Sequence, residues 1–267
     1  NNLVNMIIWI ASYPKSGNTW VRSLLSAYLY SEDGIFNFDL LRKINQFPSK
    51  QYFKFFLKDF YDIKKISNYW IAAQDRINLF NTETTFLKTH SALCKLENNS
   101  FTNKHNTKAA IYVVRDPRNL ITSFSHHYSV SAEGAFKSII NKNHMITERS
   151  WGTEGFGVAS ILGSWSEHYK SWQSLNFAPK IIVKYENLIN DTQGTLISIL
   201  NFLSNLMDIK IEKEKITNVV NSCDFDILAK KEKAEGFIET VTSKKSNKNL
   251  NFFYLGKRNN WENLLDP

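Results

Sequence analysis

Apolar residues fall along this chain in short, dense runs separated by longer stretches with helical spacing. The first run, Ile7-Ile8-Trp9-Ile10-Ala11, is interrupted by no charge and gives way to a polar loop. Runs of this kind read as strands buried on both faces. Three further runs read the same way: Thr84 to Lys88, Ala109 to Val114 and Lys180 to Tyr185. Between them the spacing predicts helices over 18–30, 118–129, 159–175, 193–205 and 212–221. In the first of these, Trp20, Val21, Leu24, Leu25, Tyr28 and Leu29 form the apolar stripe. Asp191 and Thr192 are placed to cap the helix over 193–205, whereas residues 240–256 have little periodicity and read as a loop. Strands alternating with helices predict an α/β fold, a single domain over 1–267 whose central, mostly parallel sheet is flanked by helices. Open parallel sheets bind ligands beyond the carboxyl ends of their strands. The runs here close at Ser12, Lys88, Arg115 and Tyr185, and each end carries polar chemistry.

Composition narrows the classes. The chain has 267 residues, 43% of them apolar, enough for a substantial core and too many for general disorder. Its net charge of +8 suits an anionic ligand. The basic residues are spread through the chain, not gathered in an arm or interleaved with aromatics, which argues against a nucleic-acid partner. Cys94 and Cys223 are the only cysteines and form no CxxC or metal pattern. A reducing cytoplasm is therefore expected, with no structural metal. The apolar runs are too short to span a bilayer, and the first lacks the flanks of a signal peptide.

The loop after the first run is Tyr13-Pro14-Lys15-Ser16-Gly17-Asn18-Thr19-Trp20. A loop that opens a helix after a buried strand aims backbone N–H groups and the positive helix end at one spot, which suits a phosphate. Lys15 adds a full charge, and Ser16 and Thr19 add hydroxyls. The lysine precedes the glycine, so this is not the Walker arrangement. Phe86-Leu87-Lys88-Thr89-His90 closes the second run, and alternation points Lys88 and His90 to one side. Histidine is the natural base for a hydroxyl proton near neutral pH. In Val114-Arg115-Asp116-Pro117, Asp116 suits a cap and Pro117 the first helical position, with Ser123 two turns further on. Arg115 offers the planar fork that bidentate phosphate contact needs, while Arg118 reads as solvated. The other histidines (His105, His126, His127, His144 and His168) lack such a frame and read as structural.

Taken together, these motifs resemble the sulfotransferases that use 3′-phosphoadenosine 5′-phosphosulfate (PAPS), and the resemblance runs through nearly the whole chain. In that family the first loop reads close to YPKSGTTW, with Asn18 here in place of a threonine, and forms a P-loop-like phosphosulfate loop. The resemblance implies that Lys15, Ser16, Gly17, Asn18 and Thr19 hold the phosphosulfate, and that Lys15 and Lys88 stabilise the departing phosphate oxygen. His90 would be the general base, and Arg115 with Ser123 would hold the 3′-phosphate. Trp20, Tyr185 and Phe225 would contact the adenine, with Cys223 a weaker carry-over beside Phe225. The helix around Gly163-Ser164-Trp165-Ser166-Glu167-His168, like the family's GSWxEH element, is assigned to packing. The family ends in a form of FxRKGxxGxW, but this chain reads Phe252-Phe253-Tyr254-Leu255-Gly256-Lys257-Arg258. Gly256 and Trp261 keep their separation, Tyr254 and Leu255 occupy the usual basic positions, and Lys257 and Arg258 follow the glycine instead; the resemblance counts Phe253, Gly256, Lys257 and Arg258 among the nucleotide contacts. The implied reaction is sulfuryl transfer from PAPS, without a metal, to a hydroxyl or amine of a small-molecule, glycan or lipid acceptor, releasing 3′,5′-ADP. Residues 47–80 and the stretch around 128–158 would build the acceptor pocket and its covering loops, although most aromatics of 47–80 read as a helical core, and Gly152, Gly155 and Gly157 suit a lid or an ordinary loop alike. A nucleotide-binding regulatory protein without turnover is the rival, and a kinase the weaker one.

Overall fold

The structure is a computed structural model that describes residues 6–81, 83–146, 158–242 and 249–265. The suggested lid glycines Gly152, Gly155 and Gly157 lie outside the described residues. A five-stranded sheet is built from β1 (Ile7–Ser12), β2 (Asn45–Gln46), β3 (Thr85–Thr89), β6 (Thr107–Val114) and β9 (Lys180–Lys184), in the order β2-β3-β1-β6-β9. β1 pairs in parallel with β3 and with β6, and β2 in parallel with β3. Every residue of β1 is buried, as its uninterrupted apolar run requires of a central strand. The remaining strands form antiparallel pairs, β4 (Lys95–Leu96) with β5 (Asn99–Ser100), β7 (Met145–Ile146) with β8 (Ser160–Ile161), and β10 (Val241–Thr242) with β11 (Asn249–Leu250).

The chain divides into two compact units. One comprises Asn1–Tyr13, Ile44–Val113 and Ile140–Ile182; the other comprises Pro14–Lys43, Val114–Ile139 and Val183–Pro267. The first has an aromatic core in which Trp9 packs on Phe47 and Phe101, and Phe101 on Trp70, at centroid separations of 5.4 to 5.7 Å. Of the aromatics in 47–80, Phe47, Phe53 and Trp70 are fully buried, while Phe55 and Tyr61 are exposed. In the second unit the helix Asn18–Tyr30 buries Val21, Leu24, Leu25 and Tyr28 and packs on the helix Lys213–Ser222. The Tyr28 hydroxyl ties this packing down, donating to Lys210 O and accepting from Glu212 N.

Local signals account for most boundaries. Asp116 accepts from Arg118 N ahead of Pro117, so the helix Pro117–Tyr128 starts where the sequence places it. Asp191 likewise accepts from Gly194 N and opens the helix Thr192–Ser204. The helix expected over 159–175 is shorter, Trp165–Gln173. Ser160 and Ile161 pair with β7, Gly163 turns the chain at φ +66°, and Ser164 with Glu167 forms a capping box. Tyr185 does not close a strand; it opens the short helix Tyr185–Asn190. The loop expected over 240–256 contains β10 and β11, and residues 243–248 of it lie outside the described residues.

Candidate functional site

In the second unit Pro14 to Gly17 lead straight into the helix Asn18–Tyr30. Its N-cap is Gly17, so no side chain caps the helix, and its first turn carries no acidic residue. The first N–H groups of such a helix are available to an anion. Gly17 has φ +99°, and a Cβ there would lie 2.5 Å from Tyr185 Cδ2. Only glycine permits both that backbone and that approach. Lys15 also sits in the left-handed region, at φ +66°, a conformation that costs energy for a residue with a side chain and concentrates at functional sites. Its Nζ lies 3.6 Å from the Phe252 ring centroid and 3.4 Å from His127 Nδ1. Ser16 Oγ is buried with no hydrogen-bond partner among the described residues. The Thr19 hydroxyl, expected to offer a hydrogen bond to phosphate, donates instead to Glu239 Oε2 at 2.8 Å. Glu239 is buried and also paired with Arg22 at 2.6 Å.

Arg115, one residue beyond β6, is 5% exposed. It donates from Nη1 to Lys15 O at 3.1 Å, and its Cζ sits over the Tyr185 ring, 4.0 Å from the centroid. Its Nε is buried with no hydrogen-bond partner among the described residues. Burial lowers the guanidinium's pKa, opposed by Tyr185, Glu186 and Asp116 nearby. A buried cation with donor capacity to spare suits an anion that would complete its coordination. Ser123 is half-buried within the helix that Arg115 precedes. Trp20 is buried, with its indole N–H donating to Cys223 O at 2.8 Å and its ring meeting Tyr185 and Phe225 edge-on. Arg118, expected to be solvated, is exposed but bonds Asp116 and covers the Trp261 ring at 4.1 Å.

The C-terminal segment is held by two polar side chains that sequence reasoning did not single out. Glu232 is buried and accepts from Phe252 N (2.6 Å), Phe253 N (2.9 Å) and the Thr240 hydroxyl (2.9 Å). Buried Asn259 accepts from Thr122 Oγ1 and donates to Asn119 O. Between these anchors Phe253 is buried, and Lys257 and Arg258 are exposed in a single 3-10 turn, Gly256–Arg258. Tyr254, where the family pattern has a basic residue, stacks on His126 at 3.7 Å. Gly256 has φ +54°, and a Cβ there would lie 2.6 Å from the half-buried Phe225 ring. Gly256→Ala is therefore expected to lose about 2–4 kcal/mol from left-handed strain and overpacking together. Thermal denaturation checks this, and an unchanged melting temperature would mean that the ring moves aside freely.

In the first unit, Lys88 and His90 are buried, at 3% and 5% exposure. Lys88 faces Ile10 across the β1–β3 register. His90 Nδ1 lies 2.9 Å from Ser12 O and 3.3 Å from Ser12 Oγ. A carbonyl can only accept, so Nδ1 carries the proton and the ring's lone pair is on Nε2, the form a general base needs.

His127, which reads as structural from the sequence, brings its Nδ1 to 3.4 Å from Lys15 Nζ. It follows Ser123 by one turn of the helix Pro117–Tyr128 and so shares its face. Among the described residues no cluster of His, Cys, Asp and Glu could hold a metal ion, and no helix is long and apolar enough to cross a membrane.

A family model described as a sulfotransferase domain matches residues 6–267. An amine sulfotransferase of Oryctolagus cuniculus is 22% identical over 221 residues, which cover 82% of this chain and 62% of that protein. Sulfotransferase 2A1 of Mus musculus is 32% identical over 98 residues, 35% of this chain and 30% of that protein. The chain thus spans less than two thirds of the length of these curated relatives. Among solved structures, mouse sulfotransferase SULT7A1 complexed with PAP superposes with a TM-score of 0.60 at 20% identity, covering 98% of this chain and 79% of the other. Retinol dehydratase complexed with retinol and PAP gives 0.53 at 18% identity, with coverage of 97% and 76%. At these identities the likeness is one of fold.

Proposed function

Because the chain belongs to the sulfotransferase domain family, we propose that it transfers a sulfuryl group from PAPS to a hydroxyl, or less often an amine, of a small-molecule, glycan or lipid acceptor. Residues 1–267 are taken as one sulfotransferase domain, a reading supported by a single family model over 6–267. A cytoplasmic setting belongs to the same reading, in keeping with the free thiols of Cys94 and Cys223.

The observation that carries the proposal is Arg115. Its buried guanidinium bonds the carbonyl of Lys15 in the phosphate loop and sits over Tyr185, while its Nε–H has no hydrogen-bond partner among the described residues. This arrangement fits a nucleotide with phosphate at both ends of the ribose. Lys15, the Ser16 hydroxyl and the N–H groups after Gly17 would hold the 5′-phosphosulfate, with Asn18 in the first turn. The Thr19 hydroxyl is engaged by Glu239, so Thr19 would contribute its backbone N–H. Arg115 and Ser123 would hold the 3′-phosphate, joined from the C-terminal segment by Gly256, Lys257 and Arg258. Trp20, Tyr185, Phe225 and Phe253 would bound the adenine.

When bound, PAPS supplies the activated sulfuryl group and leaves as 3′,5′-ADP. His90 takes the acceptor's proton at Nε2 while Nδ1–H stays on Ser12 O, so the ring does not turn as it gains charge. Lys15 and Lys88 would each supply positive charge, the chemistry that a departing phosphate oxygen requires. Calorimetric titration with 3′,5′-ADP and 5′-ADP tests the site independently of any acceptor. The loss of one charge-assisted phosphate contact costs about 1.5–3 kcal/mol, so 3′,5′-ADP is expected to bind about 10- to 150-fold tighter. Equal affinities would remove the basis for a PAPS site. Tight binding without transfer to any acceptor would favour a regulatory protein that keeps the pocket alone.

A further inference from the structure

The helix Trp165–Gln173 contributes packing, but one of its faces also does something more specific. Three of its side chains bond the backbone that follows β3. His168 Nε2 lies 3.0 Å from His90 O, Trp172 Nε1 donates to Ser91 O at 3.0 Å, and Ser171 Oγ accepts from Leu93 N at 3.0 Å. Positions 168, 171 and 172 share one helical face, which is why three contacts reach one short stretch of chain.

The proton on His168 is fixed by its neighbours. The His90 carbonyl only accepts, so His168 Nε2 must carry the hydrogen. Its Nδ1 then holds a lone pair, which the Tyr112 hydroxyl meets at 2.9 Å. The hydrogen-bond chain therefore runs from Tyr112 Oη–H to His168 Nδ1, and from His168 Nε2–H to His90 O. His168 is fully buried, with the Tyr13 ring edge-on at 5.4 Å, and desolvation lowers its pKa to about 4, so it remains neutral through the physiological range. A neutral, tautomer-locked histidine is a stiff spacer, whereas a histidine free to titrate would break one of its two bonds.

We propose that His168, held in one tautomer by Tyr112, is a positioning residue that fixes the His90 main chain and so sets where the His90 ring can reach. His90 is then fixed twice, at its ring by Ser12 O and at its carbonyl by His168. The inference rests on the base role proposed for His90 and deepens it. The helix that the sequence assigns to packing thereby gains a part in proton transfer.

A double-mutant cycle separates positioning from general stability. His168→Leu is expected to lower turnover with an alcohol acceptor by about 10²-fold, the scale set by a misplacement of about 1 Å, with 3′,5′-ADP affinity unchanged. Tyr112→Phe, which keeps the ring and removes the hydroxyl that locks the tautomer, should act in the same direction with a smaller loss, and serves should His168→Leu fail to fold. In a His90→Ala background neither substitution should lower the remaining rate further, because both act through the absent ring. Undiminished loss in that background, or full turnover of a folded Tyr112→Phe protein, would overturn the positioning role. If His90→Ala alone retains the parent rate, the base assignment fails instead, and the two failures remain distinct.

Discussion

His90→Ala is expected to lower sulfuryl transfer to a weakly acidic alcohol by about 10²–10⁴-fold, the usual cost of losing a general base. The binding of 3′,5′-ADP should persist, since the residues proposed to hold the nucleotide are all others. Removing the ring also takes away a hydrogen bond to the Ser12 carbonyl, so a stability loss of about 0.5–1.5 kcal/mol is expected as well. Rates should therefore be compared well below the variant's melting temperature. The informative comparison is across acceptors. A phenol that gives up its proton readily needs less help than an alcohol, so its rate should fall less. Product formation from radiolabelled PAPS over a series of acceptor acidities measures this directly. An equal loss for every acceptor would point to a damaged site and not a missing base, and an undiminished alcohol rate would place the base elsewhere.

Lys15→Ala should separate function from folding in the opposite way. A donor aimed at charge that develops in the transition state is worth about 10²–10³-fold in turnover. The stabilising value of the same side chain is small by comparison. Its ammonium lies over the Phe252 ring, a contact worth about 0.5–1 kcal/mol at partly exposed sites. Alanine retains the left-handed strain at this position, so no compensating gain is expected. The variant should melt close to the parent and turn over far more slowly. Melting far below the parent, or transfer at the full rate, would contradict the role given to this loop.

Where chemistry lies close in sequence, the one-dimensional pattern was informative. Gly17 is a left-handed N-cap, Lys88 lies near the end of β3 and His90 directly after it, and Arg115 precedes the Asp116 cap at the start of its helix. Each depends on backbone geometry within a few residues, which composition and spacing encode. The Thr19 hydroxyl is the instructive exception. Its local setting suggests a phosphate ligand, but Glu239 takes that hydrogen bond from 220 residues away.

The sequence by itself determined the buried parallel strands β1, β3 and β6, though not the exposure of β9, where only Val183 is buried, together with the helix starts at Asn18 and Pro117 and the family to which the chain belongs. These follow from uninterrupted apolar runs, from capping and proline preferences, and from motifs read within a few turns. Tertiary structure alone decided that Glu232 gathers the main chain at Phe252 and Phe253 and that His127 lies beside Lys15. It also decided that His168 bonds His90 through its carbonyl. Hydrophobic period reports which face of an element is buried, not which distant polar group that face will meet. A buried carboxylate or imidazole must find its hydrogen-bond partners wherever the fold brings them, and no local pattern specifies that choice.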